Sequence, residues 1–113
     1  MANFQVISSP ALAGVASASQ AAAGAGRRNV FTGFSASVYD SAGAGTIRAL
    51  RLRDGASGAG AVLLDIDFIN TGVFYVANGF YIIGSANTAM TLEFDANGVA
   101  TELQTITLLG RTI

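Results

Sequence analysis

Apolar and polar residues alternate with a period of two along most of the chain after residue 27. The stretch "TAMTLEFD" has the clearest pattern, and it predicts Met90, Leu92 and Phe94 on the inward face with Thr91 and Glu93 facing outward. No stretch has the period of 3.6 residues that an amphipathic helix requires. The pattern therefore predicts an all-β protein.

Clusters of Gly, Asn, Asp and Ser separate the apolar stretches. The clearest turn signals lie at residues 40–45 ("DSAGAG"), 54–60 ("DGASGAG") and 95–98 ("DANG"). They bound about seven or eight predicted strands, and this spacing is typical of a two-sheet β-sandwich, here expected to be jelly-roll-like. The dipeptide Asn78-Gly79 falls inside a long apolar stretch, where it is either a type I′ hairpin turn or a bulge.

Residues 1–26 differ in composition from the rest of the chain. A short strand is expected near residues 3–8, and Ala, Ser and Gly make up almost all of residues 8–26. That Ala-rich part is either an extended arm or a strand with small side chains, because its Gly and Ser content disfavours a helix. We expect an N-terminal arm at 1–26, either reaching onto a neighbouring subunit or flexible, and a β-sandwich domain at 27–113.

The segment "RLRDGASGAG" (51–60) is expected to contain the turn of a β-hairpin. Setting Leu50 opposite Ile66 aligns the apolar residues of the two strands and places Arg51 opposite Asp65. A shift by one residue would set charged side chains against apolar ones. We therefore predict an exposed Arg51–Asp65 cross-strand pair that helps to fix the register.

The same Gly-rich segment does not match a phosphate-binding loop. The chain has no Lys, and a strand rather than a helix is expected to follow the glycines. Two acidic pairs, Asp65-x-Asp67 and Glu93-x-Asp95, are expected on solvated strand faces. Ca²⁺ binding and glycoside hydrolysis are the alternatives for such paired carboxylates.

Composition narrows the chemistry further. Charged residues make up 12% of the 113 residues, all six basic residues are Arg, and the net charge is −1. A chain with this charge balance lacks the positive electrostatic field that binds a nucleic-acid backbone. The chain also has no His and no Cys, which excludes Ser–His–Asp and Cys–His catalysis and thiolate metal sites. No apolar stretch reaches the length of a bilayer span. We expect no catalytic residue, metal or cofactor, and neither a nucleic-acid nor a membrane partner.

So few charges also suggest that copies of the chain, or a partner, cover part of the surface. In "VFYVANGFYIIG" aromatic residues fall on both faces of the predicted strand. If one face packs in the core, the other contacts a sugar, another subunit or the second sheet. The lack of Trp favours a subunit contact over a sugar. Five residues are candidate subunit or partner contacts: Arg27, Arg28, Phe31, Tyr75 and Tyr81.

Three segments carry a resemblance to a known group of proteins: "RLRDGASGAGAVLLDIDF", "GFYIIGSANTAMTLEFDANG" and "TITLLGRTI". Through them, residues 28–113 resemble small proteins encoded among the virion genes of tailed bacteriophages. Such proteins look like head decoration (cement) proteins or short fibre and spike modules. The resemblance implies a β-rich, non-enzymatic and commonly trimeric protein, and it assigns no individual binding residue.

The function implied by this resemblance is structural. We expect a virion protein on the capsid exterior that decorates and stabilises a phage head shell by symmetric packing. Its partners would be copies of itself, as a homotrimer, and the major capsid protein or another virion protein. The alternative is a carbohydrate- or receptor-binding β-sandwich module of a phage fibre or spike.

Overall fold

The computed structural model of the chain describes residues 2–8, 11–12, 14–40, 48–68, 73–95 and 102–113. These residues form strands joined by turns, and the described part contains no helix. The prediction of an all-β protein is confirmed. The strands are β1 (Ala2–Ile7), β2 (Ala11–Leu12), β3 (Ser17–Gln20), β4 (Asn29–Asp40), β5 (Arg48–Asp54), β6 (Ala61–Phe68), β7 (Val73–Ile83), β8 (Met90–Phe94) and β9 (Glu102–Thr112).

The strands form two antiparallel sheets. Sheet A has the order β1-β9-β4-β7, with β2 also paired to β9, and sheet B has the order β3-β8-β5-β6. With the two-residue β2 set aside, the first strand pairs with the last, the second with the second-last, and so on to the β5–β6 hairpin. Successive pairs alternate between the sheets, which is the nested order of a jelly roll. The predicted two-sheet, jelly-roll-like sandwich is confirmed.

Aromatic side chains fill much of the core between the sheets. Phe68 meets Phe94 edge-on with ring centroids 5.2 Å apart. Phe80 lies 5.2 Å from Phe31 and 6.2 Å from Phe34, so these three rings form a second group. Ring pairs in such geometries add to the stabilisation that comes from burying their area.

Strand β8 is buried on both of its faces. Met90, Leu92 and Phe94 point into the core, as predicted, and are at most 2% exposed. Thr91 and Glu93 are buried as well, although the sequence predicted that they face solvent. The turn after β5 folds back over this face, and the Thr91 hydroxyl donates to a carbonyl of that turn at 2.8 Å.

The described parts of residues 1–26 belong to the sandwich. Strand β1, from Ala2 to Ile7, pairs with β9 along its whole length and forms one edge of sheet A. Strand β3 pairs with β8, and Ala18 within it and Ala16 just before it are at most 4% exposed and join the core. Because its side chains are mostly small, β3 packs closely as an edge strand of sheet B. The expected division into an arm and a domain at residue 26 is not the division that the structure has.

A bulge at Thr32 changes the alternation of side chains along β4. The register between β4 and β9 skips Thr32. The extra residue lets Phe31 and Phe34 both enter the core, although strict alternation would send them to opposite faces. Phe31 is completely buried within its own chain. Contrary to prediction, it is not available as a partner contact.

Asn78-Gly79 is part of a bulge within β7. Ile82 lies opposite Phe31 and Asn78 lies opposite Gly33, so three residues of β7 face one residue of β4. Gly79 adopts φ +89°, a conformation that favours glycine. Of the two alternatives left by the sequence, the bulge is the one present.

The β5–β6 hairpin has the predicted register. Leu50 lies opposite Ile66 and Arg51 lies opposite Asp65, with the Arg51 Nε 3.3 Å from an Asp65 carboxylate oxygen. The predicted cross-strand pair is confirmed, and Asp65 is exposed. Beyond it the register shifts by one residue, which leaves Leu63 as a bulge in the edge strand β6.

Candidate functional site

The Gly-rich turn after β5 binds an anion that belongs to the chain itself. The backbone N–H of Gly58 donates to the Glu93 carboxylate at 2.8 Å, and the Ser57 hydroxyl donates to its other oxygen. The Arg53 Nε completes the set at 2.8 Å. At Gly60, φ is +81° and a Cβ would lie 2.1 Å from the Asp54 carbonyl oxygen, so only glycine fits there. The turn therefore covers part of sheet B, and the Glu93 carboxylate occupies donors that a phosphate ligand would use.

The pKa of Glu93 reflects the same contacts. Burial alone would raise the pKa of this carboxyl, because it removes water from the charged form. The hydrogen bonds from Ser57, Gly58 and Arg53, together with the Arg53 charge, outweigh burial and lower the pKa below its ordinary value of 4.5. Glu93 is thus held as a carboxylate, in the role of a structural anion.

The other charges on sheet B also form pairs across strands. Arg51 contacts Asp65 and lies 3.9 Å from Asp95. An Asp95 carboxylate oxygen accepts the backbone N–H of Ala49 at 2.9 Å. Among the described residues, no group of three or more His, Cys, Asp or Glu is placed to hold a metal ion. Three of the four paired carboxylates, Asp65, Glu93 and Asp95, therefore make contacts within the fold.

A buried polar network joins the two sheets. Arg48 at the start of β5 contacts both carboxylate oxygens of Glu102 at the start of β9, at 3.2 and 3.3 Å. Gln104 donates to the same carboxylate at 2.9 Å and accepts the backbone N–H of Ala16 at 3.0 Å. This network could not be predicted from the sequence, because the spacing of its residues gives no sign that the two strand starts meet.

The side of sheet A that ends in β7 is apolar and uncovered within the described structure. Tyr75, Val76, Tyr81 and Ile83 are all exposed, at 44–58%. Tyr75 packs edge-on against Phe68 at 4.8 Å, which fixes its ring at the opening between the sheets. The structure therefore places Tyr75 and Tyr81 on the surface, where the sequence analysis expected a contact.

The two candidate arginines lie at a turn. The Arg28 Nη1 donates to the Gly84 carbonyl at 2.9 Å, which ties the β3–β4 turn to the β7–β8 turn. Arg27 is exposed, and its carbonyl accepts the backbone N–H of Asn87 at 2.8 Å. Both arginines thus belong to a cluster of joined turns at one end of the sandwich.

A depression of about 580 Å³ lies on sheet A at the end where β1, β9 and β4 meet. Polar side chains line much of it: Asn3, Gln5, Thr32 and Arg111. The Arg111 guanidinium carbon lies 5.2 Å from the centre of the Tyr81 ring. None of the residues that line this depression is a candidate from the sequence, because they come from three distant segments. Only Tyr81, which lies beside the depression, is such a candidate.

Comparisons of the chain with protein families, with curated proteins and with solved structures found no match. In the part of the chain that the structure describes, no helix is long and apolar enough to cross a membrane.

Proposed function

We propose that this chain is a structural subunit of a virion, which decorates and stabilises a phage head shell by packing symmetrically with copies of itself. The observation that carries the proposal is the uncovered, uncharged edge strand β7. The expected assembly is a homotrimer on the capsid exterior, in contact with the major capsid protein or another virion protein.

The four sheet edges differ in how well they are protected against pairing with another chain. Strand β3 has only four residues, and β6 carries two exposed aspartates. Strand β1 has six residues, whereas β7 has eleven with no charged side chain among them. Long apolar edges without charge invite pairing, and stable proteins cover them. A second copy of the chain is the simplest cover for β7.

The area on this side suits a subunit contact. Because of the bulge, the eleven residues of β7 lie along nine residues of β4, which span about 30 Å at roughly 3.3 Å per residue. The sandwich is 20 Å thick along its shortest axis. The side therefore offers roughly 600 Å², which is most of the about 800 Å² that each partner gives to a stable interface. Adjacent parts of sheet A would supply the remainder.

Two further observations support a static packing role. A jelly roll is a common architecture of viral capsid proteins, although the fold also hosts other functions. The chain carries 12% charged residues, and those on sheet B pair largely with one another. Assignment to a phage virion in particular rests on the resemblance of residues 28–113.

The test is the mass of the protein in solution together with one substitution. Wild-type protein at micromolar concentration should have three times the monomer mass of 11.4 kDa by light scattering. Val76→Lys places a charge at the centre of β7, on a side chain that is 58% exposed, and should give a monomer.

Ile7→Lys is the matched control, because it makes the same kind of change on the other edge of sheet A at a side chain that is 67% exposed. It should keep the oligomer. A monomeric wild type, or equal dissociation by both variants, would count against β7 as the interface. Whether the neighbouring gene encodes a major capsid protein tests the placement in a virion.

One observation favours the second candidate, a carbohydrate- or receptor-binding module. The depression on sheet A combines an arginine with two amide side chains, Asn3 and Gln5, which are common sugar-binding groups. Its lining residues come from β1, β9 and β4, whereas the proposed assembly is through β7, and Tyr81 of β7 lies beside the depression.

A further inference from the structure

The depression on sheet A contains a cation without an anion. Arg51 and Arg53 pair with carboxylates on neighbouring strands of sheet B, and Arg48 pairs with a carboxylate of the other sheet. Arg111 forms no ion pair with any carboxylate of the described residues. Its Nε is buried and has no hydrogen-bond partner among the described residues. A buried donor of this kind is costly when it stays unpaired.

Neighbouring groups hold the Arg111 side chain in place. Its guanidinium stacks on the Tyr81 ring, with 5.2 Å from the central carbon to the ring centre. Its strand neighbours are Asn3 on β1 and Val30 on β4, and Val30 is completely buried. A guanidinium fixed in this way presents its donors in one orientation, which lowers the entropic cost of binding.

The other residues that line the depression indicate the chemistry of the rest of the ligand. Asn3 and Gln5 each carry a donor and an acceptor, and Thr32 adds a hydroxyl. Leu109 supplies an apolar patch between them. Alternating donors and acceptors beside an apolar surface match the hydroxyl groups and C–H faces of a sugar ring. A volume of about 580 Å³ lies within the range of small-ligand sites.

We propose that this depression binds an acidic sugar, with the carboxylate of a uronic acid on the Arg111 guanidinium and the ring hydroxyls on Asn3, Gln5 and Thr32. A planar guanidinium matches a carboxylate in a way that a lysine ammonium does not. Among the described residues that line the depression, no Asp or Glu would repel the ligand. The inference does not depend on the assembly through β7.

The first test compares three small ligands by NMR titration of the full chain. D-galacturonate should shift the Arg111 Nε–H resonance and the backbone amides of Asn3, Gln5 and Thr32. D-galactose, which has the same ring without the carboxylate, and acetate, which has the carboxylate without the ring, should each bind at least about tenfold more weakly. The proposal is overturned if galacturonate leaves the Arg111 Nε–H resonance unmoved, or if either fragment binds as tightly as galacturonate.

The second test uses variants of the cation. Arg111→Met keeps an apolar stem over Val30 and should abolish binding of galacturonate. Arg111→Lys keeps the charge but not the planar donors, and it should weaken binding at least about tenfold. Arg27→Met removes an exposed arginine outside the depression and should bind as wild type does. If Arg111→Lys and wild type bind galacturonate with equal affinity, the proposal that the planar guanidinium recognises the carboxylate is overturned, whether or not Arg111→Met folds.

Discussion

The outer faces of the two sheets differ in how they use polar side chains. On sheet B, Arg51 and Arg53 pair with acidic residues of the adjacent strands, and the turn after β5 covers part of the face. On sheet A, the corresponding central positions are hydroxyls, such as Ser37 and Thr105, which hydrogen-bond to each other. Charges therefore satisfy one another on sheet B, while sheet A presents a nearly uncharged surface.

This difference indicates which surface remains for partners. A face whose charges are already paired gains little from a new contact, because each pair would have to be broken and desolvated. An uncharged face has no such cost, and the unpaired Arg111 and the β7 edge both belong to sheet A. We therefore place both proposed contacts on sheet A.

Sheet A is nearly uncharged on its outer face, but its inner face carries a buried charge, and the largest predicted effect tests that charge. Glu102 on β9 faces inward, where it is 1% exposed. Glu102→Ala should destabilise the protein by about 3–5 kcal/mol, because the carboxylate that Arg48 and Gln104 both contact is removed from a buried site. Urea unfolding followed by tyrosine fluorescence measures the loss. Glu102→Gln keeps the size and an acceptor and should cost less; a loss below about 1 kcal/mol for Glu102→Ala would contradict the prediction.

The covered part of sheet B should matter more than its exposed part. Glu93→Ala removes the acceptor for Arg53, Ser57 and Gly58, and we expect a loss of about 2–3 kcal/mol in the free energy of unfolding. Asp67→Ala makes the same kind of change at an exposed position of β6 and should stay within about 0.5 kcal/mol. Equal losses for the two variants would mean that the turn does not protect this face.

The same carboxylate predicts a pH dependence. The pKa of Glu93 is lower in the folded chain than its ordinary value of 4.5, so the unfolded chain binds this proton more tightly. The stabilisation from Glu93 is complete above pH 4.5 and is lost as the pH falls through the lower, folded pKa. The difference in unfolding free energy between wild type and Glu93→Gln should therefore shrink as acid is added. A difference that stays constant on acidification would show that the folded pKa is not lowered.

A smaller effect is expected for the exposed pair on sheet B. Arg51 and Asp65 have side chains that are 32% and 48% exposed. Asp65→Asn should cost less than about 1 kcal/mol, because solvent weakens the attraction between exposed charges. A double-mutant cycle with Arg51→Gln isolates the pair, and a coupling above about 2 kcal/mol would show that it does more than support the register.

The smallest effect on stability is expected on the open face of sheet A. Ser35 lies opposite Thr107 on one side and Val76 on the other. Ser35→Lys should change the free energy of unfolding by no more than about 0.5 kcal/mol, because a long side chain on this face reaches solvent. If the oligomer also survives, the interface is confined to the β7 edge; unfolding of the variant would show that this face is covered within the chain.

Alternation and turn residues predicted much of the fold. The register of Arg51 opposite Asp65 followed from matching apolar with apolar residues across one short turn, where few registers compete. The order of the strands in the sheets could not be predicted in this way. Pairing of β1 with β9 joins opposite ends of the chain, and no local pattern specifies it.

The errors have local causes. Phe31 was expected as a subunit or partner contact, but the bulge at Thr32 turns it into the core, and the sequence gives no sign of a one-residue bulge. Glu93 was expected in solvent because the pattern describes a strand and not the turn that covers it. Arg111 was overlooked because its depression needs three strands that are distant in sequence.

The nested order of the strands also has a consequence for the time course of folding. The β5–β6 hairpin closes a turn of a few residues. Strand β1 can pair only once β9 is available, and this pairing sets Ala2 opposite Thr112. Closing a longer loop costs more entropy, so we expect the hairpin to form first and the terminal pair last. On a ribosome, sheet A would stay incomplete until the last strand emerges, and its β7 edge would be unpaired throughout synthesis. Pulsed hydrogen exchange during refolding should protect Leu50 before Phe4, and the reverse order would contradict this sequence of events.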